Sequence, residues 1–344
     1  GDDTISGGDG NDLITGGAGD DKLKGGDGDD VAEFSGKMSD YRLDTTNQTV
    51  TDGYTTDGDD GTDTLDDIET IRFDDGELTV SSATQGEVRI NTYISNEQSA
   101  PEVTGLADGG YVVTWHSSAQ DGSGYGTYGQ RYDADGAPSG DEFRVNTYTT
   151  GEQTYPSIAS MDDGGFVVTW QDSSGHDGGS GYDIRGQRYG SSGDALGDEF
   201  MVNSYTSSDQ HYPDITGLDD GKFVVTWGDE TSNSNRPGTD TSGWGVFGQV
   251  FTTSDVEGED AVSMSGDQFQ VNSTTNSTQN DVSVVTLSNG KFVASWYNGN
   301  DNDIRGQIFN SDGSKSGSEI QITEYYNQGS AQPTMTALAD GGFA

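Results

Sequence analysis

The sequence predicts an all-β protein: a short parallel β-roll with a cap, followed by tandem four-stranded antiparallel repeats. Three observations lead to this prediction. The first residues repeat a glycine-rich nonapeptide, the next stretch alternates short strands with Asp/Gly turns, and the remainder repeats a longer segment that carries a Trp at a fixed place. Short apolar or alternating runs between Gly and Asp favour strands over helices in all three parts.

The nonapeptides occupy residues 1–33. Three full copies begin at Gly7, Gly16 and Gly25, and a partial copy, Gly1–Ser6, precedes them. Paired glycines permit the positive φ angles of a tight loop, and an apolar residue at the eighth position points inward from a short strand. Two nonapeptides then make one turn of a flattened coil, so that loops n and n+2 stack. Each copy has Asp at its sixth position: Asp3, Asp12, Asp21 and Asp30.

Stacked loops bring carboxylates and backbone carbonyls together. A hard cation that takes six to eight oxygen ligands suits such a site, and calcium fits better than magnesium. We expect Asp3 to share an ion with Asp21, and Asp12 with Asp30. The alternative, an acidic glycine-rich linker, is disfavoured by three unbroken copies in register. Besides the four Asp side chains, the predicted ligands are the backbone carbonyls of Gly8, Gly10, Asn11, Gly17, Gly19, Asp20, Gly26, Gly28 and Asp29.

The composition limits the possible partners. The 344 residues include 15 Lys+Arg against 60 Asp+Glu, for a net charge of −45. Nucleic acid is excluded as a natural partner, because its phosphates would be repelled. No Cys is present, and no apolar run approaches the roughly 20 residues of a transmembrane helix. The acidity fits a calcium-rich, saline, extracellular setting, and the first residue falls inside a nonapeptide, as expected for a piece of a longer protein.

Residues 34–84 are the predicted cap of the roll. They contain F-S-G, D-Y, D-G-T-D-T-L and I-E-T-I-R-F, which are short strands separated by Asp/Gly turns. A cap is needed because the last turn of a coil would otherwise expose unpaired backbone groups. Asp60 and Asp63 of D-G-T-D are candidate ligands for one more calcium ion, and an ordinary turn explains them equally well.

A second repeat fills residues 85–344, with copies at about 86–140, 141–197, 198–266, 267–317 and a truncated 318–344. Its landmarks are V-N-T-Y, Q-x-x-P, D-G-G, F-V-V-T-W and G-Q-R-Y. A four-stranded antiparallel repeat of about 55 residues has the size of a β-propeller blade, and a linear row of small β-domains is the alternative. In the second copy the predicted strands are Phe143–Tyr148, Ser157–Met161, Phe166–Trp170 and Ile184–Tyr189. The first three residues of Phe166–Trp170 are all apolar, which predicts a strand covered on both faces.

The sequence predicts no catalytic residues and no organic cofactor. The histidines, His116, His176 and His211, have no zinc-site spacing and are interpreted as exposed loop or strand-end residues. A Trp at the same place in every copy is more typical of a core than of a sugar-stacking surface. The glutamines of the G-Q pairs could line a polar surface with nearby arginines, and hydrogen bonding to buried backbone is the favoured interpretation; they are Gln130, Gln187, Gln249 and Gln307.

Residues 1 to about 80 resemble the RTX, or haemolysin-type calcium-binding, family through the nonapeptides and the motifs of the cap. The resemblance implies a right-handed parallel β-roll, export by a type I secretion system, and folding outside the cell where calcium is abundant. The D-G-G-F-V-V-T-W repeats are similar to those of large secreted proteins from marine or halophilic bacteria, which implies no particular activity.

We therefore predict a secreted, calcium-binding structural or adhesive protein of the bacterial cell surface or extracellular matrix. The expected partners are calcium, extracellular glycans, the cell surface or copies of the chain itself. The roll has too little apolar surface to order its loops against backbone entropy, so ion binding would supply the missing free energy. The alternatives are a secreted propeller-type polysaccharide-degrading enzyme and a calcium-dependent lectin, each with the roll as secretion module. Enzymatic activity is left open, and its absence is favoured.

Overall fold

The computed structural model divides the chain into two compact units, Gly1–Arg89 and Ile90–Ala344, called here the N-terminal and C-terminal units. Among the residues described, regular structure is all β apart from one short 3₁₀ helix, Met38–Asp40. No helix in that part of the chain is long and apolar enough to cross a membrane. The structure describes residues 1–44, 48–53, 61–79, 89–176, 181–230, 243–253, 261–273, 275, 277–323, 333–338 and 341–344.

The N-terminal unit begins with the roll, whose strands are β1 (Thr4–Asp9), β2 (Leu13–Ile14), β3 (Lys22–Asp27) and β4 (Val31–Glu33). Successive strands alternate between two sheets, so that β1 pairs in parallel with β3 and β2 pairs in parallel with β4. Thr4 lies opposite Lys22, a register shift of two nonapeptides. The predicted stacking of loops n and n+2 is therefore what the strand ladders show.

The eighth-position side chains fill the interior of the roll. Leu23 and Ala32 are fully buried and Ile14 is 4% exposed. They form one apolar cluster with residues of the following segment, including Phe34 and Ile71. Each nonapeptide thus contributes a single side chain to the core, because only one residue of its short strand points inward.

The predicted cap continues the coil before closing it; its strands are β5 (Tyr41–Asp44), β6 (Thr49–Asp52), β7 (Thr62–Asp66), β8 (Thr70–Phe73) and β9 (Gly76–Thr79). β7 pairs in parallel with β3, and β8 pairs in parallel with β4, so the two strands take the place of further nonapeptides. The remaining strands pair antiparallel. They complete the sheet orders β1-β3-β7-β6-β5 and β2-β4-β8-β9.

In its described residues, the C-terminal unit has four antiparallel sheets, each built from consecutive strands. The predicted fold class, a parallel roll followed by four-stranded antiparallel sheets, is confirmed. The strands of the first two sheets are β10 (Gln98–Gly105), β11 (Tyr111–Ser118), β12 (Tyr125–Tyr132), β13 (Phe143–Arg144), β14 (Gln153–Ser160), β15 (Phe166–Asp172), β16 (Asp183–Tyr189) and β17 (Ala195–Met201). Those of the third and fourth sheets are β18 (Gln210–Leu218), β19 (Lys222–Glu230), β20 (Trp244–Thr253), β21 (Val262–Met264), β22 (Phe269–Gln270), β23 (Gln279–Thr286), β24 (Phe292–Asn298), β25 (Asp303–Phe309) and β26 (Ile320–Gln321).

The sequence repeat and the sheets are out of phase by one strand. Phe143 and Arg144 pair with Gly129 and Tyr128 of β12, which makes them the fourth strand of the first sheet. The prediction that Phe143–Tyr148 is the first strand of the second sheet is therefore wrong. A tandem repeat reads the same from any starting point, so its sequence does not say whether a strand pairs with the strand before it or after it.

The D-G-G turn of the second sheet shows why both glycines are used. Gly164 has φ +83°, a left-handed conformation that glycine adopts without strain. A Cβ on Gly165 would lie 2.3 Å from the carbonyl oxygen of Tyr189 on the neighbouring strand. The Gly165 N–H donates to Asp163 Oδ1 at 2.8 Å, which fixes the turn.

Neighbouring sheets pack face to face. As predicted for F-V-V-T-W, β15 is buried throughout, and its Val167 joins one cluster with Phe223 and Trp227 of the third sheet. The first strands of adjacent sheets are also linked: Asp214 of β18 accepts hydrogen bonds from Ser157 Oγ (2.9 Å) and Val284 N (2.7 Å). Stacked sheets with adjoining first strands are typical of consecutive propeller blades, and closure into a ring stays a prediction.

Candidate functional site

One row of carboxylates lies along the sheet that contains β1, β3 and β7, next to the start of each of these strands. The Asp3 N–H donates to Asp21 Oδ1 at 2.6 Å, and the Asp21 N–H donates to Asp63 Oδ1 at 2.7 Å. Each carboxylate therefore holds the backbone of the preceding turn. Asp63 lies in the cap, is 1% exposed and occupies the place that a sixth-position Asp would take in a further nonapeptide.

A second row of carboxylates lies along the sheet that contains β2, β4 and β8, directly before each of these strands. The Asp12 N–H donates to Asp30 Oδ1 at 2.8 Å, and the Asp30 N–H donates to Glu69 Oε2 at 2.7 Å. The predicted pairs Asp3/Asp21 and Asp12/Asp30 are thus stacked one turn apart. Their contact runs from a carboxylate to a backbone N–H, not from one carboxylate to the other.

Three of the repeated aspartates have a carboxylate oxygen that accepts no hydrogen bond in the described part of the chain. Oδ2 of Asp12, Asp21 and Asp30 is buried and has no hydrogen-bond partner among the described residues. Asp21 is 2% exposed and Asp30 is fully buried. A buried carboxylate oxygen without a partner is costly, and a cation is the natural way to satisfy it. The residues present therefore fit a calcium ion.

Glycine lets the successive loops approach closely at the same place. A Cβ on Gly26, which has φ +121°, would lie 2.0 Å from the carbonyl oxygen of Gly8. A Cβ on Gly16 would lie 2.5 Å from the leftover Oδ2 of Asp21. No side chain fits between these oxygens, so carbonyl and carboxylate oxygens lie against bare backbone.

Side chains alone do not complete a metal site in the described part of the chain. No group of three or more His, Asp or Glu side chains there is placed to hold an ion. Calcium would therefore take most of its oxygens from backbone carbonyls, which is the role predicted for Gly8, Gly10 and their counterparts in later copies. This ligand set stays a prediction, and Asp60 lies outside the described residues.

The repeated polar residues of the C-terminal unit serve its fold. Gln187 Nε2 donates to the carbonyl oxygens of Arg188 (2.9 Å) and Leu196 (3.2 Å), which ties the turn between β16 and β17. Arg188 in turn donates to Asp163 Oδ2 at 2.5 Å. The other three G-Q glutamines also donate to backbone carbonyls of the corresponding turn. Hydrogen bonding to the backbone, the favoured interpretation, is what the structure shows.

The F-V-V-T-W tryptophans lie in the core. Trp170, Trp227 and Trp296 are fully buried and Trp115 is 4% exposed. They are out of reach of a sugar ring, as the core interpretation predicts.

The interpretation of the histidines as exposed is wrong for His116, which is 7% exposed. Its Nδ1 accepts the Tyr155 N–H at 3.1 Å, so its Nε2–H donates to Ser99 Oγ at 2.9 Å. Burial lowers the pKa of His116, and burial also lowers the pKa of the half-buried His211. Both imidazoles are neutral at pH 7.

The two histidines border a cavity of about 480 Å³ that is lined by residues of the first three sheets. It lies where the first strand of each sheet begins and the second strand ends. Sequence reasoning missed it, because its residues come from three repeats and each looks like an ordinary variant within its own copy. The sequence signal that could have found it lies two residues after a second repeated glutamine, which is Gln98, Gln153, Gln210 and Gln279 in successive copies. The residue at that place changes from Ala100 to Tyr155, Tyr212 and Asp281.

Residues 1–32 match the RTX calcium-binding nonapeptide repeat family, in four copies. This segment is therefore an RTX calcium-binding repeat, and Ca²⁺ is the ion that it binds. RTX repeats are a mark of secreted calcium-binding proteins. No curated protein is similar enough to the chain to count as a match.

Several solved structures resemble the chain weakly. One is an α-L-arabinanase from Penicillium chrysogenum, with 14% identity and a TM-score of 0.48 over 74% of this chain and 76% of that one. Another is a protein of unknown function from Dyadobacter fermentans, with 11% identity and a TM-score of 0.46 over 71% and 72%. A third is an α-L-arabinofuranosidase from Fusarium graminearum, with 12% identity and a TM-score of 0.45 over 64% and 65%. At these values nothing follows about the activity of this chain.

Proposed function

We propose that this chain is a secreted structural or adhesive protein whose roll folds on binding calcium outside the cell. The observation that supports it best is the set of buried carboxylate oxygens without hydrogen-bond partners on Asp12, Asp21 and Asp30, within RTX repeats.

Calcium would act on the part of the chain that is least able to order itself. Each nonapeptide buries one apolar side chain, while its glycine-rich loop loses more backbone entropy on folding than any other composition. The carboxylate oxygens without a hydrogen-bond partner in the described chain make the folding free energy less favourable, and a bound cation removes that cost. Ion binding then becomes part of the folding free energy, and the roll is ordered only where calcium is plentiful.

The net charge of −45 works in the same direction. Repulsion among carboxylates opposes compaction, and calcium both neutralises and bridges them. A chain that stays unfolded at the low free calcium of a cytoplasm is suited to export. Once outside, the ordered roll would present the C-terminal sheets, whose repeated polar residues are used by their own fold, as a scaffold or adhesive surface.

The proposal is tested by hydrogen exchange of the full chain during a calcium titration, with peptides from residues 1–79 followed separately. We expect protection of these peptides to rise with calcium, and Asp21→Ala to raise the midpoint about tenfold through loss of one charged ligand, about 1.4 kcal/mol.

The matched control is Asp27→Ala. Asp27 holds the third position of its nonapeptide, where Ala18 stands in the preceding copy, so its side chain is dispensable for the repeat. Its calcium midpoint should stay at the wild-type value. Full protection of residues 1–79 in excess chelator would show that calcium does not drive folding.

A further inference from the structure

We propose that the cavity at the end of the first three sheets binds an uncharged oligosaccharide. The inference concerns the C-terminal unit alone and does not depend on calcium-driven folding of the roll.

An arc of aromatic rings forms one wall of the cavity. The Tyr125 ring packs edge-on against His116 (5.1 Å between centroids), and His116 packs against Tyr155 (5.4 Å). The arc continues from Tyr155 to Tyr212 at 4.8 Å and from Tyr212 to His211 at 5.6 Å. It ends on Tyr182, 4.7 Å from His211, and so draws rings from all three sheets.

Two of these rings stand at a backbone position where the fold accepts residues other than Tyr. Tyr155 and Tyr212 sit at a β-bulge with φ +52° and +53°, a conformation that is uncommon for a bulky residue. Ala100 and Asp281 adopt the same φ, +50° and +52°, at the same bulge of the first and fourth sheets. The bulge is therefore common to the four described sheets, whereas Tyr occupies it in two of them, so the backbone does not require Tyr at this position.

The residues next to the arc can both donate and accept hydrogen bonds. Tyr125 Oη donates to Glu97 Oε2 at 3.1 Å, and Tyr182 Oη donates to Glu152 Oε2 at 2.7 Å. Burial and the bond to Glu152 raise the pKa of Tyr182 to about 12, so its phenol keeps its proton. Each carboxylate has further acceptor capacity, and Gln171 adds an amide at the same wall. This mixture of ring faces and hydrogen-bonding groups matches the alternating C–H and hydroxyl surfaces of a sugar.

The charges of the lining select against anions. Glu97 and Glu152 are acidic, both histidines are neutral, and no Lys or Arg is among the described lining residues. An acidic sugar would meet no counter-charge.

The geometry also argues against a small ammonium ion. Such a ligand needs several ring faces turned to one point. Here the interplanar angles between successive rings range from 35° to 86°, and the rings follow one another along an extended wall. A cavity of about 480 Å³ likewise has room for more than one sugar ring.

The test uses the full chain at saturating calcium, so that the roll is in one state throughout. Saturation-transfer NMR is recorded with five neutral probes: maltotriose, cellotriose, mannotriose, xylotriose and arabinotriose. Trigalacturonate and tetramethylammonium serve as the anionic and cationic comparisons. We expect at least one neutral trisaccharide to bind and both charged probes to fail.

The Tyr155→Ala/Tyr212→Ala double variant should weaken that binding at least about tenfold. Ala100 shows that Ala is accepted at this bulge, so the variant should fold. Tyr205→Ala, at an exposed tyrosine outside the lining, is the control and should leave affinity unchanged. Glu152→Gln gives a second, milder change that should weaken binding a few-fold if the double variant proves unstable.

Three results would overturn the assignment: no binding of any neutral probe, binding of a charged probe alone, or equal affinity in the wild type and a folded double variant. Because calcium is saturating throughout, none of them bears on the proposal for the roll.

Discussion

The roll and the C-terminal sheets are both made by repetition, but they satisfy their polar groups in different ways. In the roll, Asp21 and Asp30 each use one carboxylate oxygen on the neighbouring turn and keep the other buried without a partner in the described chain. In the sheets, the repeated Asn side chains and the amide N–H groups of the G-Q glutamines bond to other side chains and to backbone carbonyls. The difference indicates that the roll is the part of the protein that needs a bound cation.

Asn203 shows how a repeated polar side chain of the sheets is satisfied within the fold. Its Oδ1 accepts the Ile184 N–H at 2.7 Å, and the two N–H groups of its Nδ2 are shared among three acceptors at 2.8–2.9 Å: Asp183 Oδ1, Tyr205 O and Gln210 Oε1. These bonds join the third strand of the second sheet to the first strand of the third. A fully satisfied network of this kind fixes the connection without an ion.

Chelation should give the largest effect and the clearest separation. With excess EDTA, we expect the protection of residues 1–79 against hydrogen exchange to be lost, because the buried oxygens of the roll then have no counter-ion. Peptides from residues 98–230 should keep most of their protection, since their core is apolar and their repeated Asn and Gln side chains are hydrogen-bonded within the fold. Equal loss of protection in residues 1–79 and 98–230 would show that calcium does not stabilise the roll more than the sheets.

The next effect is removal of a tryptophan between two sheets. Trp227 is fully buried in the cluster shared by the second and third sheets, so Trp227→Ala should lower the free energy of unfolding by about 3–5 kcal/mol. The measurement is urea unfolding of the full chain in calcium, with the half-buried Trp244→Ala as control. If the control costs as much, packing between sheets is not the main source of stability.

The smallest effect is on pH dependence, at His116. Burial lowers its pKa below the ordinary value of 6.5, although Glu97 and Glu152 act in the opposite direction. The folded state therefore binds fewer protons than the unfolded state, and the stability that this histidine contributes is present above about pH 6.5 and lost as the pH falls.

Gln171 supplies the matched variant for this test. Its Oε1 accepts the Tyr212 N–H at 3.2 Å, as His116 Nδ1 accepts the Tyr155 N–H at 3.1 Å, so His116→Gln keeps the contact without the titration. Between about pH 7 and pH 5 the melting temperature of the wild type should fall more than that of the variant. Parallel curves would show that His116 does not titrate in this range.

The features that sequence reasoning predicted are those set by a fixed period. Nine residues per copy and one inward side chain determine the register of the roll, a shift of two nonapeptides or one turn, which the pairing of Thr4 with Lys22 reproduces. The run F-V-V-T-W likewise predicts a strand covered on both faces. The partner of Phe143–Arg144 was missed, because pairing is decided by neighbours in space and a cyclic pattern leaves two choices.

The cavity lay beyond single-copy reasoning for a related reason. His116 and Tyr155 belong to different strands and Tyr182 directly precedes a third, and nothing within one repeat brings the three together. Comparing the copies position by position would have shown the change from Ala100 to Tyr155 and Tyr212 and then to Asp281. Such a change on a constant backbone is how a repeat protein acquires one distinct site.

The one-strand offset between repeat and sheet has a consequence for how the chain can change in length during evolution. A duplicated segment of one repeat brings the fourth strand for the sheet before it and the first three strands for a sheet of its own. Insertion or loss of a whole copy therefore leaves every interior sheet with its full complement of strands. The number of copies can drift by unequal recombination without passing through a broken intermediate.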